Sequence, residues 1–217
     1  MEISMTPSLE ATLRQLATRP GCTILGIVGA PGAGKTTLVE SILAWSVSHN
    51  LTAAWLPMDG YHLADVELTR LGLLHKKGII ETFDGYGYVN TLRRIREGND
   101  PVVYAPAFER DLEQPIAGAL PIATGADLVL TEGNYLLDPS EPWTGVRDLV
   151  DEIWFVDAGV ETCRARLMAR HVRFGKSPQQ ASDWIDDVDA PNGVRIRTQM
   201  ARAHRVIDSE GDFAERE

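Results

Sequence analysis

The sequence predicts an α/β fold, a single parallel five-stranded sheet with helices on both faces. Three observations carry that expectation. Segments of strand type alternate with segments of helical spacing along the chain, the order that builds parallel sheets. Residues 127–133 and 152–157 are near-continuous apolar runs, as strands covered on both faces require. Residues 29–36 read Gly29-Ala30-Pro31-Gly32-Ala33-Gly34-Lys35-Thr36, a complete G-x-x-x-x-G-K-[ST] phosphate loop set between a strand and a helix.

Taken in order, Thr6 and Pro7 open a first helix, Thr6 as N-cap and Pro7 as first helical residue, with Leu9, Leu13 and Leu16 on one face. Pro20-Gly21 ends it, and 23–28 is the first strand. A helix over 37–45 follows the phosphate loop. The second strand covers 52–58 and is closed by Asp59-Gly60. Residues 62–74 have moderate helical character, His75-Lys76-Lys77-Gly78 and Asp84-Gly85-Tyr86-Gly87 break the pattern, and 88–98 is helical again. The prolines in 101–108 confine that segment to an edge or an excursion, with 114–122 as its partner in a small ribbon. After the strands 127–133 and 152–157 come helices over 160–173, 178–187 and 192–204, interrupted at Phe174-Gly175-Lys176-Ser177-Pro178. A short strand spans 205–208, and the acidic tail from Ser209 is expected to fray.

The chain has 217 residues, 44% hydrophobic and 24% charged, which suits one domain over 1–217 with a core at 20–208. Its formal net charge of -10 and lack of a dense Lys/Arg run argue against nucleic acid and for a small-molecule partner. Cys22 and Cys163 lie in apolar stretches and read as core residues of a reduced compartment. Glu2 stands where a secretory signal would be basic, and no run of about 18 apolar residues exists, so the expectation is a cytoplasmic protein without a membrane span. A homodimer is left open, because dimer faces and core faces look alike in the sequence.

The chemistry follows from where strands end. The backbone N–H groups from Gly29 through Thr37, with the helix N-terminus they lead into, can cradle phosphates. Lys35 can reach the outer phosphates, and the Thr36 hydroxyl can join a Mg²⁺ shell. Ligands bind outside the carboxyl ends of parallel strands, and two acids stand there. Glu132 is the candidate for the metal environment, the alternative being a cap on the next turn. Asp59 is the candidate general base for phosphoryl transfer to a hydroxyl, the alternative being an ordinary Asp-Gly turn. Asp157, ending another strand, reads as turn or cap. Arg166, Arg170 and Arg173 share a helix face, with Arg164 and His171 nearby; they form either a lid over a triphosphate, hinged at Gly175 and Pro178, or a solvated basic face.

Four segments carry a family resemblance: 29–36, Met58-Asp59-Gly60-Tyr61-His62, Lys76-Lys77-Gly78 through Phe83-Asp84, and Leu130-Thr131-Glu132-Gly133. Together, over about 22–208, they resemble the phosphoribulokinase, uridine kinase and bacterial pantothenate kinase family. The resemblance implies a P-loop kinase fold using ATP and Mg²⁺, Asp59 as catalytic base, Glu132 in the magnesium environment, and a lid over 160–190. It implies that 60–125 holds the acceptor, with Tyr61, His62, Phe83, Asp84, Tyr104 and Arg110 as candidate walls, and that Asp189-Ala190-Pro191-Asn192 borders the adenine. The chain is shorter than pantothenate kinases, and small family members named as kinases of sugar-transport systems suit its size best. The expected activity is transfer of the γ-phosphoryl group to a hydroxyl of a sugar, nucleoside or pantothenate-like metabolite. A nucleotide-dependent switch and a nucleotide monophosphate kinase are the alternatives; no N-K-x-D guanine signature is present.

Overall fold

A computed structural model of the chain describes residues 4–216. Glu2, on which the N-terminal expectation rests, lies outside them. Helix α1 (Pro7–Ala17) buries Leu9, Leu13 and Leu16 as their spacing predicts. Thr6 is its N-cap by position, but its side chain makes no capping bond; its amide donates to Phe213 O instead. Strand β1 (Thr23–Val28) leads through the phosphate loop into α2 (Lys35–Ser48), and β2 (Ala53–Pro57) into a 3-10 turn at Met58–Tyr61. The helix expected over 62–74 is shorter, α3 (Asp65–Leu71), because Gly72 closes it in the left-handed conformation.

Helix α4 (Gly85–Glu97) starts earlier than expected. Asp84 does not break it but caps it, its carboxylate accepting from Gly87 N at 2.8 Å. The proline-bearing segments form the antiparallel ribbon β3 (Val102–Glu109) and β4 (Gln114–Ala123), separate from the main sheet. Strands β5 (Leu128–Gly133) and β6 (Glu152–Asp157) follow, then α5 (Val160–Arg173) and α6 (Pro178–Trp184). A π-turn at Ile185–Asp189 runs straight into α7 (Ala190–Arg197). Pro191 in the first turn of α7 has no amide to give, which favours a widened turn there. Strands β7 (Arg205–Asp208) and β8 (Ala214–Glu215) close the chain.

The main sheet has the order β2-β5-β1-β6-β7-β8. Its first five strands are parallel, as expected; β8 adds a sixth, two residues long and antiparallel to β7. Glu132 on β5 pairs in register with Ile27 of β1 on one side and Pro57 of β2 on the other. That register sets Glu132 between the end of the strand that feeds the phosphate loop and the end of the strand that feeds Asp59.

Two apolar layers cover the sheet. One joins it to α4, the ribbon and the 135–150 region through Leu56, Tyr88, Leu92, Tyr135 and Trp143. The other joins it to α1 and α2 through Leu13, Leu38, Ile42, Trp154 and Phe213. Phe213, 1% exposed, overturns the expectation of a frayed tail. Ser209 is buried too, and Arg216 donates to Asp157 at 2.6 Å and Asp208 at 3.0 Å. The composition of 209–216 is acidic, but one aromatic and one arginine at the right spacing dock it onto the sheet edge.

Candidate active site

The phosphate loop is held by close backbone packing. A Cβ at Gly29 would lie 2.4 Å from Val156 O. Gly32 has φ +78°, and a Cβ there would lie 2.7 Å from Cys163 O at the start of α5. Lys35 opens α2 with its side chain turned back over the loop, Nζ donating to Gly29 O at 3.0 Å and Ala30 O at 3.2 Å. Burial lowers its pKa, against the pull of the Glu132 and Asp59 carboxylates.

Pro31, Lys35 and Thr36 form one wall of a cavity of about 350 Å³ that also takes in Asp59, Glu132 and Arg110. Thr37, expected to share in the cradle, does not line that cavity. It is exposed in the first turn of α2, and its carbonyl accepts from Ser41 Oγ at 2.9 Å. One step along a helix turns a side chain by about 100°, so Thr36 can face the cavity while Thr37 faces away. What Thr37 keeps to offer a phosphate is its amide, at the helix N-terminus.

The phosphate loop, the base candidate and the metal candidate therefore meet at the carboxyl rim of the sheet. The Asp-Gly pair at 59–60 serves two ends. A Cβ on Gly60 would lie 2.3 Å from Pro106 O, so glycine lets β3 pass close. That approach brings the ribbon tip to the site, where Arg110 Nη2 donates to Asp59 Oδ2 at 2.7 Å.

The two carboxylates sit in opposite electrostatic states. Burial raises the pKa of Asp59, but His62, Arg110 and Lys35 outweigh it and hold the carboxyl below its ordinary range. Burial, then the charge of Asp59, pushes Glu132 up to about 7. Burial also lowers His62, whose Nδ1 donates to Asp59 O at 2.9 Å; the neutral ring therefore keeps Nε2 as an acceptor. Among the described residues the carboxylate of Glu132, a residue only 5% exposed, has no hydrogen-bond or ion-pair partner, and neither does the Thr36 hydroxyl. No cluster of three acidic, His or Cys side chains exists there to cage a metal. A hydroxyl and one lone carboxylate beside a phosphate cradle fit Mg²⁺, which takes few protein ligands and fills its shell with water and phosphate oxygens.

The arginine row divides. Arg170 lines the cavity, as does His171, whose Nε2 is 2.8 Å from Asp189 Oδ2. Arg166 faces the back of the loop instead, donating to Gly32 O, Ala33 O and both oxygens of Ser209. Arg173 lies over Phe174, and Arg164 pairs with Asp186. Asp157 ion-pairs with Arg197 and Arg216.

Of the candidate acceptor walls, His62, Phe83 and Arg110 line the cavity. Tyr61 is buried edge-on against Tyr88 beneath α4. Asp84 is spent on its helix cap, and Tyr104 is 64% exposed on the ribbon. Asp189 and Asn192 lie on the same cavity as His62 and Phe83, and Asn192 Nδ2 donates to Gly78 O at 3.2 Å. Phe108, Asn134, Lys176 and Trp184 also line the cavity without having been singled out. Their only signal was position, since Phe108 falls in the ribbon, Asn134 and Lys176 in loops and Trp184 at the end of α6, and the approach of each to the site depends on the tertiary fold.

No family model matches the chain. It is 36% identical over 132 residues to the ATP-dependent kinase-like protein notR' of Aspergillus versicolor, covering 58% of this chain and 77% of that protein. The E. coli protein YggC is 30% identical over 188 residues, covering 86% of this chain and 77% of that one.

The chain belongs to the P-loop kinase family that includes uridine kinase and pantothenate kinase.

Among solved structures, a protein of Silicibacter sp. TM1040 named as a fructose transport system kinase superposes with a TM-score of 0.80 at 29% identity, over 88% of this chain and 93% of that one. As a P-loop kinase the chain is a phosphotransferase with an alcohol group as acceptor. It spans about half the length of the pantothenate kinases it matches. Among the described residues no helix is long and apolar enough to cross a membrane.

Proposed function

We propose that this P-loop kinase transfers the γ-phosphoryl group of ATP to a hydroxyl of a small polar metabolite, with Asp59 as general base and Mg²⁺ bound by Thr36 and Glu132. The observation that carries the reading is the meeting of Lys35, Asp59 and Glu132 in one cavity at the carboxyl rim of the sheet. The loop amides and Lys35 bind the phosphates of the donor, with the amide of Thr37 as the last of the series. Asp59 accepts the proton of the acceptor hydroxyl as its oxygen bonds to phosphorus and the bond to ADP breaks. A base with a low pKa suffices because the transition state is loose and the proton leaves late. Bound Mg²⁺ supplies charge neutralisation at the phosphate oxygens.

Arg170 projects from α5 into the same cavity and offers charge to the moving phosphoryl group. Residues 160–190 form the lid region, with α5 as its fixed base on the phosphate loop and the segment after Gly175 as its moving arm, and 60–125 form the acceptor region. Gly175, at φ +97° with no atom within 4 Å of its Cβ position, is the hinge between α5 and α6. Closing that lid excludes water, the competing acceptor. Names among the relatives and fold neighbours point to several acceptors, uridine, pantothenate, fructose and glycerate among them. The test is ADP formation from MgATP with a panel of sugars, nucleosides, pantothenate and glycerate. Acceleration by an acceptor, with a phosphorylated product, is the expected result. ATP hydrolysis indifferent to every acceptor would turn the reading toward a nucleotide-dependent switch.

A further inference from the structure

On the acceptor side of the cavity, two cations pack against one aromatic ring. Arg110 Cζ is 5.0 Å from the centroid of Phe108, and Lys77 Nζ is 5.2 Å from it. His62 packs on the same ring at 5.0 Å, and all four residues line the cavity. Lys77 is fixed: its side chain is 11% exposed, and Nζ donates to Asp65 Oδ1 at 2.7 Å and to Glu113 O. Arg110 is less committed. Of its five N–H donors, the one bond made among the described residues goes to Asp59.

The charges do not stay balanced through the reaction. Asp59 loses its negative charge when it takes the hydroxyl proton, which removes the one ion-pair partner Arg110 has among the described residues. An acceptor with its own anionic group can occupy the free edge of Arg110 in a charge-assisted, fork-like contact, with the Lys77 ammonium beside the same ring adding to the positive potential.

We propose that Arg110 and Lys77, both packed against Phe108 in the cavity wall, form a cationic site for a carboxylate or phosphate group on the acceptor, so that the preferred substrates are hydroxy acids or sugar phosphates rather than neutral polyols. This specificity rests on the kinase reading of the same site, and the test separates the two.

Matched acceptor pairs decide it: glycerate against glycerol for a carboxylate, and glucose 6-phosphate against glucose for a phosphate, with ADP formation followed at saturating MgATP. The anionic member of at least one pair should have the higher kcat/KM, by about 10²-fold or more, as sites built for a polar group reject analogues lacking it. Arg110→Met should remove that advantage, with a far larger loss for the anionic member than for the neutral one and little movement in the KM for ATP. Lys77→Met should reduce it, and Arg110→Lys should retain part of it. Arg110 is half-exposed at the ribbon tip, so an unchanged melting temperature will show that its variants fold.

Equal use of neutral and anionic acceptors by the wild type would overturn the anion site and leave the kinase reading standing. So would an equal loss for all acceptors in Arg110→Met, which would confine Arg110 to its pairing with the base Asp59. Failure of every acceptor to accelerate ADP formation would bring down the kinase reading, and the anion site with it.

Discussion

Asp59 and Glu132 share one buried pocket and are driven to opposite protonation states, which is how a site separates the tasks of two like groups. Asp59 is kept charged by the Arg110 and Lys35 cations, while Glu132, buried without a partner, holds its proton to about pH 7. Asp59→Asn should cut turnover by roughly 10²–10⁴-fold while calorimetry finds ATP affinity little changed; a near-normal rate would remove Asp59 from the role of base. Glu132 supplies a second test, in the metal-free protein. Its folded pKa exceeds its unfolded value, so the native state binds the extra proton between about pH 4.5 and 7. Stability from this group is therefore greatest at the acid end of that window and is lost as pH rises to about 7. Glu132→Gln, neutral at every pH, should be less sensitive to the rise, so that its stability gains on the wild type from about pH 5 to 7 and then keeps a constant lead. Denaturant titrations across that range check it, and a lead independent of pH would show Glu132 to be ionised throughout.

At the scale of elements, the phosphate loop and α5 behave as one unit. Arg166 ties α5 to the carbonyls of Gly32 and Ala33, and Ser209 Oγ completes the clasp by donating to Ala33 O at 2.5 Å. Helical spacing placed Arg166 on one face with Arg170 and Arg173, but spacing does not tell which end of a face meets the loop and which meets the cavity. Gly32→Ala should cost about 2–4 kcal/mol, since the new Cβ meets both a positive φ and the Cys163 carbonyl. Thermal or denaturant unfolding measures that loss, and a cost below about 1 kcal/mol would mean that the loop yields. Arg166→Ala and Ser209→Ala should be non-additive in a double-mutant cycle, because they share partners.

At the scale of the whole molecule, the C-terminal segment closes the structure. Residues 209–216 bring Phe213 into the layer shared with α1 and α2, and Arg216 to the acids ending β6 and β7. Phe213→Ala should lower stability by about 3–5 kcal/mol, the usual cost of emptying a buried phenylalanine site. A loss within about 0.5 kcal/mol in equilibrium unfolding would restore the picture of a loose tail. The opposite end of the chain is held by the same segment, since Thr6 and Phe213 are joined through their backbones.

Much of this protein is legible in its residues because the physics is local. Continuous apolar runs marked β1, β5 and β6; prolines set the ribbon of β3 and β4 apart from the sheet; glycine, lysine and threonine at fixed spacing announced the phosphate cradle. Chain order and strand ends were enough to put Asp59, Glu132 and Lys35 on one rim, since parallel strands present all their carboxyl ends on the same side. Tertiary structure alone decided which side chains complete the cavity. Phe108 and Arg110 reach it because Gly60 lets the ribbon pass close, Tyr61 turns away because the space beneath α4 is apolar, and Arg166 is drawn to the loop by the carbonyls of Gly32 and Ala33. Those outcomes depend on contacts between segments distant in the chain, and no local pattern encodes the distance between them.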